Sequence, residues 1–152
     1  MKKLLFRMMA IMMGAAMTAS CSLTAKTPIK VETTKIVYTS YTNSGTAIVT
    51  KIEITRDSVV RDRVDYRHNL HRQASVVIDG KDFDELINLL STISFKVKNI
   101  ENTSAGGSGW AYSFENAKGR YMYFNSEDKV SGNYDEAIKV ISQFIERHPI
   151  KE

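Results

Sequence analysis

The chain has 152 residues, 43% of them hydrophobic and 25% charged, which is enough for one ordinary domain with its own core. A single cysteine excludes an internal disulfide framework. The formal charge of +4 is concentrated at the start: the first 20 residues hold Lys2, Lys3 and Arg7 and no acid, leaving 18 basic against 17 acidic residues beyond them, so the pI of about 9.1 describes no nucleic-acid footprint.

Behind those three cations, "MMAIMMGAAM" from Met8 to Met17 is an apolar run without an acid. A positive head, a run of roughly 7–15 apolar residues and small residues after it form a secretory signal peptide, here over residues 1–20. The run falls short of the ~20 residues that a membrane-spanning helix needs. Six of the seven methionines lie in this leader, leaving Met122.

Thr18-Ala19-Ser20-Cys21 resembles the lipobox of small bacterial lipoproteins, with Thr18 where that motif usually has leucine. The resemblance implies diacylglycerol on the Cys21 sulfur and cleavage just ahead of it. Each buried methylene contributes about 0.8 kcal/mol, and two or more chains hold stably where one does not. Cys21 is thus the expected lipidation site, and thiol catalysis is excluded. Gly14-Ala15-Ala16 offers an ordinary small-x-small cleavage site as the alternative, which would leave a lone thiol. Ser22 after the cysteine resembles outer-membrane sorting, so the expected location is the cell envelope, at the outer membrane facing the periplasm. Residues 21–30, polar and containing Pro28, are expected to be a tether to a single domain over 31–152.

From Val31 the pattern is extended. "KIVYTSYT" is rich in β-branched and aromatic residues, "NSG" at 43–45 signals a turn, and Ile48, Thr50, Ile52 and Ile54 alternate on one face of the next strand. "RDS" at 56–58 makes a second turn into "VVRDRVDYR", where Val60, Val64 and Tyr66 are in phase. "ASVVI" follows a polar loop as a fourth strand.

The period then becomes helical. Phe83, Leu86, Ile87, Leu90 and Ile93 recur on one face behind Asp82 as N-cap with Glu85 as its capping-box partner. Tyr134, Ala137, Ile138, Ile141, Phe144 and Ile145 repeat the scheme behind Asn133 and Glu136, until Pro149 stops it. Asp82-Phe-Asp-Glu-Leu-Ile aligns with Asn133-Tyr-Asp-Glu-Ala-Ile, and "FKVKNI", "WAYSFE" and "RYMYFN" between the helices are strand-like. The expected fold class is α+β: an antiparallel sheet with two amphipathic helices on one face, drawn as two tandem β-rich units each closed by a helix. In outline this is similar to the tandem sheet-and-helix domains of secreted inhibitors such as β-lactamase inhibitory protein, a topological likeness without a shared motif.

Motifs with chemistry are sparse. His68 and His71 form H-x-x-H among arginines that repel a cation, and a metal centre needs three or four convergent ligands, so neither a metal nor any other cofactor is expected. Nucleophile elbow, zinc-protease, P-loop and dinucleotide signatures are missing, and "SAGGSG" at 104–109 has neither the lysine nor the helix start of a phosphate cradle. No catalytic residue can be named. Asp57-Ser58-Val59 resembles the acceptor of some envelope O-glycosylation systems, although Ser58 is first a turn residue.

Two surfaces are candidates for a partner. Arg61, Arg63 and Arg67 are expected on one strand face with Arg72 beyond, able to meet phosphate or carboxylate groups, while Asp57, Asp62 and Asp65 interleave and dilute their field. In the last hairpin a four-residue turn in "ENAKGR" would pair Phe114 with Tyr121 and Tyr112 with Tyr123, with Trp110 on the same face. Those five aromatics are either an exposed binding patch, carried by Trp110, Tyr112 and Tyr123, or the core itself. The expected function is a non-enzymatic envelope lipoprotein, held on the membrane by its lipid and binding an envelope protein or glycan but no nucleic acid. A periplasmic inhibitor or immunity protein against a toxin or hydrolase is the alternative.

Overall fold

Alternation in "KIVYTSYT" and "IVTKIEIT" builds the two strands around which the other elements assemble. The computed structural model describes residues 26–42, 47–96, 109–126 and 134–151. The signal peptide, Cys21, the first part of the tether, the turn at 43–45, most of the glycine-rich loop and Asn133 lie outside the described residues.

Strands β1 (Lys26–Pro28), β2 (Lys35–Thr42), β3 (Ile48–Thr55), β4 (Ser58–Asp65) and β5 (Leu70–Val77) precede helix α1 (Gly80–Ser91). Then come β6 (Ser94–Lys96), β7 (Gly109–Asn116), β8 (Gly119–Asn125) and helix α2 (Tyr134–Arg147). Six strands form one antiparallel open sheet in the order β5-β4-β3-β2-β7-β8, and β1 pairs with β6 separately. The fold is α+β. The meander β2 to β5 runs outward to one edge, and the chain returns through α1 to add β7 and β8 on the other side of β2.

The core lies between one face of this sheet and the two helices. Ile36 sits between Ile54 and Phe114, and the same row continues to Val59 on one side and Met122 on the other. The next row sets Tyr38 between Ile52 and Tyr112, with Phe124 beyond. Phe83, Leu86, Ile87 and Leu90 of α1 and Ala137, Ile141 and Phe144 of α2 close over these rows in one cluster. Full burial of such side chains contributes about 1.5–3 kcal/mol each. Phe124 packs on Tyr134 at the start of α2, with ring centroids 4.4 Å apart.

Several expectations shift. Asp79, not Asp82, caps α1, its side chain accepting from Lys81 N–H at 2.9 Å. Asp82, within the first turn, instead meets His148 Nε2 at 3.1 Å and ties the start of α1 to the end of α2. Val59 is the buried valine of β4, and Val60 and Val64 lie on the opposite, open face. β5 begins at Leu70, so His71 is a strand residue and not part of a loop. Lys26–Pro28 form a strand and Ile29 is buried in the core, so the domain begins inside what the sequence suggests is tether.

The hairpin departs most. Lys118 N–H bonds to Asn116 Oδ1 at 2.9 Å, the turn closes on Gly119 at φ +106°, where glycine is favoured, and the register shifts between Glu115 and Phe114. Phe114 therefore pairs with Met122 and Tyr112 with Phe124, while Tyr123 turns to the other face and Tyr121, the extra residue of the shift, packs partly buried at the margin of the core. The expected five-aromatic face does not exist, because the shift changes the parity of β8. Phe114→Ala should cost about 3–5 kcal/mol in chemical denaturation. Tyr123→Ala, on the open face, should stay within about 1 kcal/mol.

Candidate functional site

Along β4 the helix-facing side chains run Val59, Arg61, Arg63 and Asp65, so the strand passes from the buried core into solvent within a few residues. The neighbouring strand presents Arg72 directly opposite Arg63 and Ala74 opposite Arg61. Like charges facing each other across a strand pair are destabilising. Here they line a cleft of about 400 Å³ bounded by Arg61, Arg63, His71, Arg72, Gln73 and Ala74. A smaller hollow of about 140 Å³, lined by Arg63, Asp65, Leu70 and Arg72, adjoins it.

Arg61 is anchored from the far end of the chain. Its Nη2 donates to the Ile150 carbonyl at 3.0 Å, and Ile150 packs on the core. Arg63 and Arg72 stand apart from Arg56, which pairs with Asp84 at 2.7 Å: among the described residues neither guanidinium makes an ion pair or a hydrogen bond.

Of the two nearby interleaved carboxylates, one is turned to the far face and the other borders the smaller hollow while serving the turn. Asp62 faces the opposite side of the sheet, where it hydrogen-bonds His71 Nε2. Asp65 closes the turn between β4 and β5, accepting from Arg67 N–H at 3.0 Å and His68 N–H at 3.2 Å, with His68 Nδ1 2.9 Å from its second oxygen. The hydrogen bond from His68 holds the Asp65 carboxyl below the usual range, against a smaller opposing effect of burial. Asn69 completes the turn at φ 50°, a conformation asparagine tolerates. Arg67 lies in this turn and not on the strand face with Arg61 and Arg63, because β4 ends at Asp65. His68 and His71 engage different aspartates, and no group of three metal-ligating side chains occurs among the described residues.

The aromatic candidates separate in the same way. Tyr112 is buried, its ring stacked on Phe124 at 5.3 Å, and burial pushes its phenol up to about 12, aided by Tyr38 and opposed by a hydrogen bond with Ser142. Trp110 is half-buried and edge-on to Tyr112 at 5.7 Å and Phe124 at 6.3 Å, at the margin of the core. Tyr123 lies on the open face under the Arg120 guanidinium, 5.3 Å from its ring. They form no common surface. Gln73 and Ala74 are lining residues that motif reasoning misses; the alternation of "RQASV" opposite "VVRDR" places Ala74 on the face of Arg61 and Gln73 on the other.

In comparisons with protein-family models, curated proteins and solved structures, nothing matches this chain.

The Tyr112 phenol makes stability fall at high pH. Its folded value is raised, so the neutral form is favoured in the fold; its contribution is complete below about 10 and is lost as pH climbs toward about 12. Denaturation midpoints across that window should decline less steeply in Tyr112→Phe. Tyr121, also raised by burial, keeps a residual slope. Tyrosinate absorbance should appear later in the folded chain than in urea.

Proposed function

We propose that this chain is a non-enzymatic, lipid-anchored binding module of the cell envelope that holds an anionic partner in the cleft of Arg61, Arg63 and Arg72. The observation that carries this is the cross-strand pair Arg63 and Arg72, two guanidinium groups set opposite each other that make no ion pair among the described residues, with Asp65 bordering them but engaged in its own turn. Such a pair costs free energy when empty and recovers it when a phosphate or carboxylate sits between them, since charge-assisted and bidentate hydrogen bonds are the strong ones. Arg61, held by the Ile150 carbonyl, adds a third donor group at fixed position. Arg67 extends the positive margin from the turn. Tyr112 falls out of the binding set because it is buried, and Trp110 is left as a half-exposed edge. The sequence likeness between Asp82-Phe-Asp-Glu-Leu-Ile and Asn133-Tyr-Asp-Glu-Ala-Ile supports the further reading that the two halves are related units sharing one sheet.

Calorimetric titration of the lipidated chain in detergent with inorganic pyrophosphate tests the cleft. Arg63→Ala combined with Arg72→Ala should weaken binding at least about tenfold, equivalent to about 1.4 kcal/mol. The thermal midpoint should hold, as surface changes cost roughly ±0.5 kcal/mol, and added salt should weaken the wild type. Equal binding by the double variant overturns the assignment.

The anchor is tested separately. Wild type should partition into detergent and carry the mass of its acyl chains, and Cys21→Ser should do neither. A wild-type chain recovered in the soluble periplasm with a free thiol overturns it.

A further inference from the structure

We propose that the outer edge of β5 takes an extended acidic peptide as an added strand of the sheet, with a carboxylate of that strand held between Arg63 and Arg72. This rests on the reading of the cleft as an anion site, and it names the partner's chemistry.

The edge is open in a definite pattern. Ile78 N–H donates to the Asp57 carbonyl at 3.1 Å, which marks Asp57 and Ile78 as a hydrogen-bonded pair. Bonded and non-bonded pairs alternate in an antiparallel ladder, so Val59 with Val76, Arg61 with Ala74 and Arg63 with Arg72 are bonded pairs too. The bond from Tyr66 N–H to the Ala47 carbonyl, at 3.0 Å, fixes the complementary residues of β4 on β3, in agreement. Arg72, Ala74 and Val76 therefore direct their backbone groups at β4. His71, Gln73, Ser75 and Val77 turn N–H and C=O outward, and among the described residues no strand pairs with them.

The other edge of the sheet is protected. β8 carries the register shift beside Tyr121, whose hydroxyl accepts from Lys30 N–H at 3.1 Å and bonds the Thr33 hydroxyl. β5 has no bulge, proline or acid over its 8 residues, and it exposes Leu70 and Val77 to 49% and 85%. Charge selects the occupant. A second copy would set one cationic edge against another, which is unfavourable, whereas an acidic strand reverses the sign. On an added strand the residue opposite Arg72 falls at a non-bonded position, where Cα atoms approach to about 4.5 Å and side chains are closest. That side chain faces the cleft. Its neighbours bond His71 and Gln73 and point to the open face.

A blocked peptide as long as β5, alternating glutamate with valine, tests this. With glutamates in the cleft, the valine N–H groups face β5 and the glutamate N–H groups face solvent. The unmodified peptide and one N-methylated on glutamate should bind alike, and one N-methylated on valine should lose at least about tenfold. In hydrogen exchange read by NMR, the amides of His71, Gln73, Ser75 and Val77 should slow on binding, while those of Arg72, Ala74 and Val76 stay as they are. Ser75→Pro, which removes an outward donor without touching a bond to β4, should abolish peptide binding; the methylated peptides decide the matter if that variant does not fold. Equal binding by both methylated peptides, or exchange that does not alternate, overturns strand addition and leaves the cleft reading standing. So does binding of pyrophosphate or an anionic glycan with no binding of the peptide. If neither pyrophosphate nor peptide binds, both readings fail. Undiminished peptide binding to Arg63→Ala with Arg72→Ala overturns the carboxylate's place between them.

Discussion

Ile36, fully buried between Ile54 and Phe114, is the contact on which the arrangement of the other elements depends. Among the described residues, β2 is the only strand joined to both parts of the sheet, the early meander and the late hairpin. The face that Ile36 presents to the helices therefore sets the parity of its neighbours: a slip of one residue would move every apolar side chain of a strand to the wrong side. The hairpin obeys this constraint through its bulge. In unbroken register from the Asn116–Gly119 turn, Tyr121 and Tyr123 would lie under the helices and Met122 and Phe124 outside. Phenols under the helices would need partners for their hydroxyls, whereas a thioether and a phenyl ring need none. The extra residue resolves that conflict in favour of Met122 and Phe124, both fully buried.

The same geometry explains why a cationic cleft can sit beside a dry core. The buried stripes of the two helices end at the rows of Ile36 and Tyr38, and the face beyond them is wet. On β4 the transition takes place between Val59 and Arg63, with Arg61 bridging it by reaching the Ile150 carbonyl. Of the nearby acids, the period of two sends Asp62 to the far face, while Asp65 stays on the near side at the border of the smaller hollow, where the turn recruits it for its own N–H groups. The field is shaped by strand alternation and turn closure more than by composition.

Much of this was legible in the chain. Regular alternation in β2 and β3 and the 3.6-residue period of both helices located four elements and the α+β class, because each is a long local pattern. What escaped depends on pairing or on single residues. Asp79 and Asp82 are chemically equal caps by sequence, and only the start of the helix at Gly80 decides between them. The bulge cannot be seen from "ENAKGR", since a regular turn and a shifted one use the same residues. Arg61 and Arg63 were placed on one face correctly from period alone. Arg67 was not, because the strand ends two residues earlier, where Asp65 finds N–H groups to accept. Ile29 was hidden by its polar neighbours, although its burial is what brings β1 to the domain.

The charges on β5 carry two physical consequences together. An uninterrupted edge strand is a hazard, since its outward N–H and C=O groups pair with any extended chain. Natural edges are guarded by lysine, proline or bulges, and this one has only His71 and Arg72 toward its start and an exposed Val77 at its end. On the reading of Cys21 as an anchor, neighbouring copies share a plane and meet often, so self-pairing is the first association to be suppressed. Two cationic edges repel, and the interaction is stronger here because the guanidinium groups of Arg63 and Arg72 make no ion pair among the described residues. The feature that discourages a like partner is thus the one that favours an acidic one, with Coulomb attraction acting at the same spot as the free backbone groups. Discrimination then requires no deep pocket: hydrogen bonds to the edge supply affinity for any extended chain, and the arginine pair decides which chain is accepted.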